Sequence, residues 1–520
     1  MVYFQCTFCD ITSKSFDDKR FETCRQNGHQ IIKMLSNADA NTKQEKKKSI
    51  KKVKGTIGSY FVESIVVDSK PYFLCYNTTT CKLELKEEIE YLDVQYIPFE
   101  PQECGYPPYF YSKEEIEQLL SVELTKEELL DEIKSQIDRF INAREIDKYL
   151  ILGDLFLSYC QEWISTLHFP FFVGETESGK SSCLHLFKKL GYRCLYGEDI
   201  PNADVYNFLG IDEEATGMIA EDEAQNLDEN KEKLRTYKNS YSRGSVKARI
   251  ITTASSKKQV FYKTFCLKAF AGERVPQDKG FLERLALVHM VEGETKGNIK
   301  RLGKEEETEL KNLRNKLLVW KVQNITKDIQ RVDSGLKQRD QELWEDFLCI
   351  AYGTKYFEKC KNVVAVYVGQ RHQAIKNSLE AKIFELSIRL LDQKLECDAL
   401  LLWQKIIENF SGNLEESKGT FYSDDYGKIT KNLLSRLLQD KFQATKQTRF
   451  LKEESKYHKQ TYYSFKLEVL QRLAHKYDIA LPLSSSIYSG SSGQSDSTEN
   501  TLDRIDNLDH YKEVRNDVPD

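Results

Sequence analysis

The chain has 520 residues, of which 40% are hydrophobic and 30% charged, and a net charge of −5. A chain of this size buries more than one core, so several domains are expected, and its acidic balance excludes a uniformly cationic surface and leaves any nucleic-acid contact to local patches. No signal peptide and no apolar run of transmembrane length is legible, so the expectation is a soluble, cytoplasmic protein with no membrane partner.

Thirteen cysteines are present, and in a reducing compartment clustered cysteines more often mean metal than disulfide. Residues 1–40 hold such a cluster: Cys6 and Cys9, two residues apart, then Cys24 and His29. This spacing fits a C2HC zinc finger, in which two thiolates share one turn and a Cys–His pair closes the Zn²⁺ tetrahedron. Phe4, Phe16, Phe21 and Ile31 would supply its minimal core, and the alternative is reduced cysteines without metal. Residues 41–55 crowd Lys43, Lys46, Lys47, Lys48, Lys51, Lys52 and Lys54 into a basic linker, either a solvated tether or a grip on phosphates. Residues 56–148 read as a β-rich module, from alternating β-branched and aromatic residues, followed by a charged helical adapter from Lys113. The spacing of Cys75, Cys81 and Cys104 is poor for zinc.

The segment 149–300 carries the chemistry. Gly174-Glu175-Thr176-Glu177-Ser178-Gly179-Lys180-Ser181 is a complete G-x-x-x-x-G-K-[ST] phosphate loop. The apolar run Phe169–Val173 before it predicts a buried strand, and Ser182 to Leu190 after it has helical periodicity. Backbone N–H groups and a helix N-terminus make such a turn an anion site, Lys180 neutralises β and γ phosphates, and Ser181 offers a hydroxyl to Mg²⁺. The implied ligand is a nucleoside triphosphate, with Ser182 completing the binding set. Glu175 and Glu177 are expected to point outward.

Hydrolysis needs a second strand ending in acid. Met218 to Gln225 fits, with Asp222 on Mg²⁺ and Glu223 as the base for water; Glu221 is awkward because it replaces the strand's last apolar residue. Phe208 to Glu213 is a rival with the same local pattern. Ala248 to Ser255 predicts a third strand, which is either a plain core strand or one that brings Thr253 or Ser255 to the γ-phosphate.

Three further blocks, Tyr237 to Gly244 with Arg249, Phe265 to Gly272, and Phe281 to Val288, together with the phosphate loop, resemble one family. It is the AAA+-like P-loop ATPases, of superfamily 3 helicase type, encoded beside or fused to primases in phages, plasmids and archaeal mobile elements. The resemblance runs from about Leu150 to His289 and is most specific at the phosphate loop and the Lys268-Ala269-Phe270-Ala271-Gly272 block with its Glu273-Arg274 sequel. It implies an α/β P-loop NTPase core, Mg²⁺-dependent ATP hydrolysis, DNA as partner, a homo-oligomeric ring, and primase or other replication proteins nearby. By the same resemblance Arg284 is similar to the arginine that a neighbouring subunit donates to the γ-phosphate, with Arg243, Arg249 and Arg274 as weaker candidates. The alternative for Arg284 is a surface ion pair with Glu283 or Glu292.

Residues 301–396 read as a helical lid, with Leu310, Leu313, Leu317 and Trp320 at helical spacing. Residues 397–482 have a winged-helix order: helices at Asp398 to Phe410, Lys428 to Leu438 and Glu468 to Tyr477, and a strand at Thr461 to Phe465 after a basic loop. Lys446, Arg449, Lys452, Lys456 and Lys459 would face DNA phosphates, though winged helices also dock proteins. Residues 483–520, rich in Ser, Gly, Asn and Asp, are expected to be disordered. The function read from the whole is an ATP-dependent DNA motor, helicase-like in replication. The alternative is a nucleotide-gated DNA-binding initiator or switch that does not unwind processively.

Overall fold

The computed structural model describes residues 2–6, 12–13, 19–26, 31–35, 48–103, 105–210, 216–252, 257–415, 419–453 and 456–481. The chain is mixed α/β and divides into two compact units after Val363. Of the expected zinc ligands, Cys6 ends the strand Val2–Cys6 and Cys24 is buried on the short helix Glu22–Gln26, whereas Cys9 and His29 lie outside the described residues. Residues 41–47 and the tail 483–520 also lie outside them. Among the described residues, no helix is long and apolar enough to cross a membrane.

In the first unit, strands β1 (Lys54–Ile57), β2 (Tyr60–Val67), β3 (Lys70–Asn77) and β4 (Lys82–Lys86) form an antiparallel sheet. Asp68 and Ser69, at φ 46° and 68°, make the two-residue β2–β3 turn, whose left-handed backbone matches the twist of the strands. β2 is buried on both faces from Phe61 to Val67, and this places one carboxylate, Glu63, inside the protein. Helices α1 (Lys126–Phe140) and α2 (Glu145–Leu157) follow, and α1 starts where the Thr125 hydroxyl accepts from the Glu128 N–H at 3.3 Å.

The central layer then builds in chain order: β5 (Phe169–Val173), α3 (Lys180–Leu190), β6 (Cys194–Glu198), β7 (Met218–Asp222), α4 (Lys231–Asn239), a hairpin of β8 (Val246–Thr252) and β9 (Lys257–Lys263), β10 (Lys268–Gly272), and β11 (Leu285–His289). Five strands pair in parallel in the order β6-β7-β10-β5-β11. Every residue of β5, β7 and β10 is buried, as parallel strands covered on both faces require.

One expectation is corrected here. The segment read as the third strand of this sheet, 248–255, pairs only within the β8–β9 hairpin, and Thr253 and Ser255 themselves lie outside the described residues. Lys247 and Arg249 alternate with apolar residues along β8, whose charges have no buried partner strand to answer them among the described residues, and Val246, Ile250 and Phe261 are exposed on the hairpin. β10 takes the third place, and its one charge, Lys268, folds back onto the Thr264 and Cys266 carbonyls at 3.3 and 3.0 Å. Helix α5 (Lys304–Gln323) follows, with Leu310, Leu313, Leu317 and Trp320 buried, and then α6 (Gln338–Ala351).

The second unit contains α7 (Leu379–Arg389), β12 (Glu396–Asp398), α8 (Ala399–Asn409), a three-stranded meander of β13 (Gly412–Glu415), β14 (Thr420–Ser423) and β15 (Gly427–Thr430), α9 (Lys431–Arg436), a hairpin of β16 (Thr445–Glu453) and β17 (Lys456–Ser464), and α10 (Leu467–Tyr477). Phe384, Leu402, Leu438, Phe442, Tyr463 and Leu470 lie in its core. The segment read as a basic loop is strand β16, nine residues long. Within it Lys446 is exposed, while Arg449 forks onto Glu396 at 2.7 and 2.5 Å and is thereby engaged within its own unit. Asp398 caps α8 by accepting from the Leu400 and Leu401 N–H groups at 2.7 and 2.9 Å. Asp398→Ala is expected to destabilise the protein by about 1 kcal/mol, read as a lower urea midpoint.

Candidate active site

The phosphate loop leaves the C-terminal end of β5 and closes into α3. Gly179, at φ 89°, is the left-handed residue before the helix, and no side chain caps that N-terminus, so its first N–H groups face outward as an anion site. Gly174 is fixed by close approach: a Cβ there would come within 2.5 Å of the Met290 carbonyl. Glu175, Thr176 and Glu177 are exposed, and Glu177 holds a left-handed φ of 67°. Ser178 is buried with its hydroxyl unpartnered. Lys180 Nζ donates to the carbonyls of Gly174 and Glu175 at 2.7 and 2.6 Å, which lays the ammonium across the loop. Ser181 and Ser182 follow on the first turn of α3.

A cavity of about 350 Å³ opens against this loop, lined by Glu177 to Ser182, by Asn142 after α1, and by Thr295, Asn298 and Lys300 from the segment after β11. The residues present fit the phosphates of a nucleoside triphosphate: an orphaned hydroxyl, an uncapped helix start, and ammonium groups at Lys180 and Lys300. Sequence reasoning passed over the 293–300 segment and Asn142, which belong to no motif; the glycines Gly293 and Gly297 in a polar stretch were the only cue.

The acidic pair emerges at the same end of the sheet. Register sets Val173 beside Gly272 and Glu221 beside Phe270, so the loop and Asp222 leave level with one another across the single strand β10, about 10 Å apart. Asp222 is 6% exposed and accepts from the Glu223 N–H at 3.1 Å. Glu223 is exposed and, at φ 55°, left-handed, a costly backbone state for a residue with a Cβ. Glu221 is accounted for: buried, it accepts from Lys233 Nζ at 2.6 Å and from the Tyr237 hydroxyl at 2.5 Å. Burial raises its pKa, and Lys233 and Tyr237 oppose that rise. Of the rival acidic pair, Asp212 and Glu213 lie outside the described residues. His185, one turn beyond Ser181 on α3, is held below its ordinary pKa by burial and by Lys300 and Lys188, and is therefore neutral at pH 7.

No protein-family model matches this chain, and no curated protein matches it. Solved structures give slight likenesses. The apo C-terminal region of NrS-1 aligns at 13% identity and TM-score 0.31, over 78% of this chain and 96% of that one. A full-length MCM homolog from Methanopyrus kandleri aligns at 10% and 0.30, over 60% and 74%, and the JCV helicase at 10% and 0.20, over 52% and 74%. Likeness at this level leaves any assignment to the site itself.

The arginines separate by place. Arg284 precedes β11, where its carbonyl accepts from the Phe169 N–H at 2.9 Å, at the end of the sheet opposite the phosphate loop. A five-residue strand, about 16 Å, lies between them, so Arg284 does not reach the loop of its own chain. Its guanidinium stacks on Tyr241 at 4.4 Å, with Arg339 at 4.3 Å from the same ring, and donates to the Gly280 carbonyl rather than to Glu283 or Glu292. Arg243 donates to the Ile164 carbonyl at 2.9 Å and stacks on Phe265, and Arg249 stacks on Tyr206. Arg274 is exposed just beyond β10, at the phosphate-loop end.

Proposed function

We propose that the chain is an Mg²⁺-dependent ATP hydrolase that works on DNA as a ring or stacked oligomer, in the manner of a replicative helicase. The observation that carries the reading is the level emergence of the Lys180 loop and the Asp222–Glu223 pair at one end of a parallel sheet. Lys180 and the α3 N–H groups hold phosphate oxygens, Ser181 and Asp222 hold the cation, and Glu223 accepts the proton of the attacking water. Mg²⁺, when bound, neutralises charge on the β and γ phosphates. Arg284, too far from its own loop to act there, is assigned to the site of a neighbouring subunit. A winged-helix second unit, with Lys446 and Lys459 exposed on its hairpin, and a C2HC finger in residues 1–40 provide the DNA contacts.

The test is ATP turnover with and without DNA, together with particle mass with and without nucleotide. DNA-stimulated turnover by an oligomer is expected; a monomer with no turnover overturns the reading. Strand displacement on forked DNA then separates a motor from a nucleotide-gated initiator, which hydrolyses without separating strands. Arg284→Ala is expected to keep nucleotide binding and lose turnover. Mixed with Lys180→Ala subunits, it should regain part of that turnover, because each inactive subunit supplies what its neighbour lacks. Failure of the mixture to regain any would remove Arg284 from its role in trans.

A further inference from the structure

Gln225 closes the acidic segment Met218 to Gln225 without a role of its own in it, yet it joins the phosphate loop to the acidic end of β7. Its Nε2 donates to Glu223 Oε2, and its Oε1 accepts from the Glu273 N–H at 3.2 Å. Glu273, the first residue after β10, in turn accepts from the Thr176 hydroxyl of the phosphate loop at 3.0 Å. A continuous line of hydrogen bonds thus runs from Thr176 through Glu273 and Gln225 to Glu223. The Gly272 position permits it: a Cβ there would overlap Gln225 Oε1 and lie 3.1 Å from the Gln225 backbone nitrogen.

The chemistry of an amide suits this place. Gln225 must give one hydrogen bond to a carboxylate and take one from a backbone N–H at the same time, and an amide carries a donor nitrogen and an acceptor oxygen at fixed separation. It has no proton to exchange with Glu223. Glu223 sits in a left-handed backbone state, and such a state persists only where its surroundings hold it from several sides. Here the main chain is tied to Asp222 and the side chain, through Oε2, to Gln225.

We propose that Gln225 is a positioning residue that orients the Glu223 carboxylate toward attacking water and, through Glu273 and Thr176, fixes it relative to the phosphate loop. This rests on the reading of Glu223 as the base. A displaced base costs turnover far more than it costs nucleotide affinity, since a misplacement of about 1 Å lowers rate about 10²-fold.

The experiment compares Gln225→Met, which fills the same space without hydrogen bonds, with Gln225→Glu, Gly272→Ala and Glu223→Gln in the full chain. The readouts are kcat, KM and affinity for a fluorescent ATP analogue. Gln225→Met is expected to lower kcat about 10- to 10²-fold with nucleotide affinity within about twofold of wild type. Gly272→Ala should reproduce it by displacing the amide. Gln225→Glu should lower kcat in the same way with nucleotide affinity unchanged, because a carboxylate cannot donate to Glu223 and repels it; if Gln225 merely filled space, Gln225→Met would leave kcat unmoved. If Glu223→Gln is inactive while Gln225→Met, or Gly272→Ala where the methionine variant does not fold, turns over like wild type, the role of Gln225 falls and the base assignment stands. If Glu223→Gln itself turns over like wild type, both fall.

Discussion

Replacing Lys180 with Ala is expected to reduce ATP turnover about 10³-fold or more, to background. The ammonium does two things in this chain. It lines the cavity at the loop, and it also ties the loop together through the Gly174 and Glu175 carbonyls at 2.7 and 2.6 Å. In the proposed function phosphate oxygens would take the place of those carbonyls as its partners, so affinity and loop geometry are lost together in the variant. For that reason Lys180→Ala is expected to lose nucleotide binding as well as turnover. Glu223→Gln, which leaves the loop untouched, is expected to bind nucleotide normally and lose about 10²- to 10⁴-fold in turnover. The pair separates holding the substrate from activating water. Equal turnover by Lys180→Ala and wild type would sink the whole reading.

What was legible in the sequence was local. The loop, its strand and its helix follow from one octapeptide and its flanks, because anion binding at a helix start needs residues at fixed short spacing. Asp222 and Glu223 were legible for the same reason, as acid after an apolar run. Strand order was not. β8 and β10 are both short and rich in β-branched or small residues, and only the charges interleaved at Lys247 and Arg249 distinguish a hairpin from a core strand. The β16 strand was hidden in the same way by Lys446, Arg449 and Lys452, which make an alternating strand read as a basic loop. Gln225 and Asn142 gave no signal of their roles, and the 293–300 segment only the glycines Gly293 and Gly297, because what they contribute is set by register and packing. Glu221 looked like a flaw in its strand until Lys233 and Tyr237, both on α4, were seen to meet it.

The second large effect is structural and lies where the β-rich segment meets the parallel sheet. Glu63, fully buried on β2, accepts from Arg193 Nε at 3.1 Å, Lys321 Nζ at 2.8 Å and the Tyr192 hydroxyl at 2.7 Å. Lys321 also reaches Glu162 at 2.8 Å, and Lys54 meets Glu162 at 2.5 Å. Three cations thus share two carboxylates, and Glu63→Gln would leave three against one. Removing one partner of a buried pair costs about 3–5 kcal/mol, because the charge left behind has no water to replace it. Glu63→Gln is therefore expected to destabilise the protein by about that much, and Glu63→Gln with Lys321→Met to recover part of it. The same residue sets a pH dependence. Burial alone would raise the Glu63 pKa, but Lys321, Arg193 and Lys54 outweigh it and bring it from the ordinary 4.5 to about 2. A carboxylate lowered in the folded state contributes stability above its unfolded pKa and loses it as pH falls through the folded one, here between about 4.5 and 2. The contribution at neutral pH is on the order of 3 kcal/mol. Glu162, also lowered on balance, acts in the same direction, whereas burial raises Asp154 and Glu221, whose contributions run the other way. The difference between wild type and Glu63→Gln removes the Asp154 and Glu221 terms, which do not involve Glu63, and leaves a part from Glu162, whose carboxylate shares Lys321 with Glu63. Urea unfolding of both between pH 6 and pH 3 should show a large gap at pH 6 that narrows steadily on acidification, and a gap that stayed constant with pH would mean that Glu63 is not held ionised by its three cations.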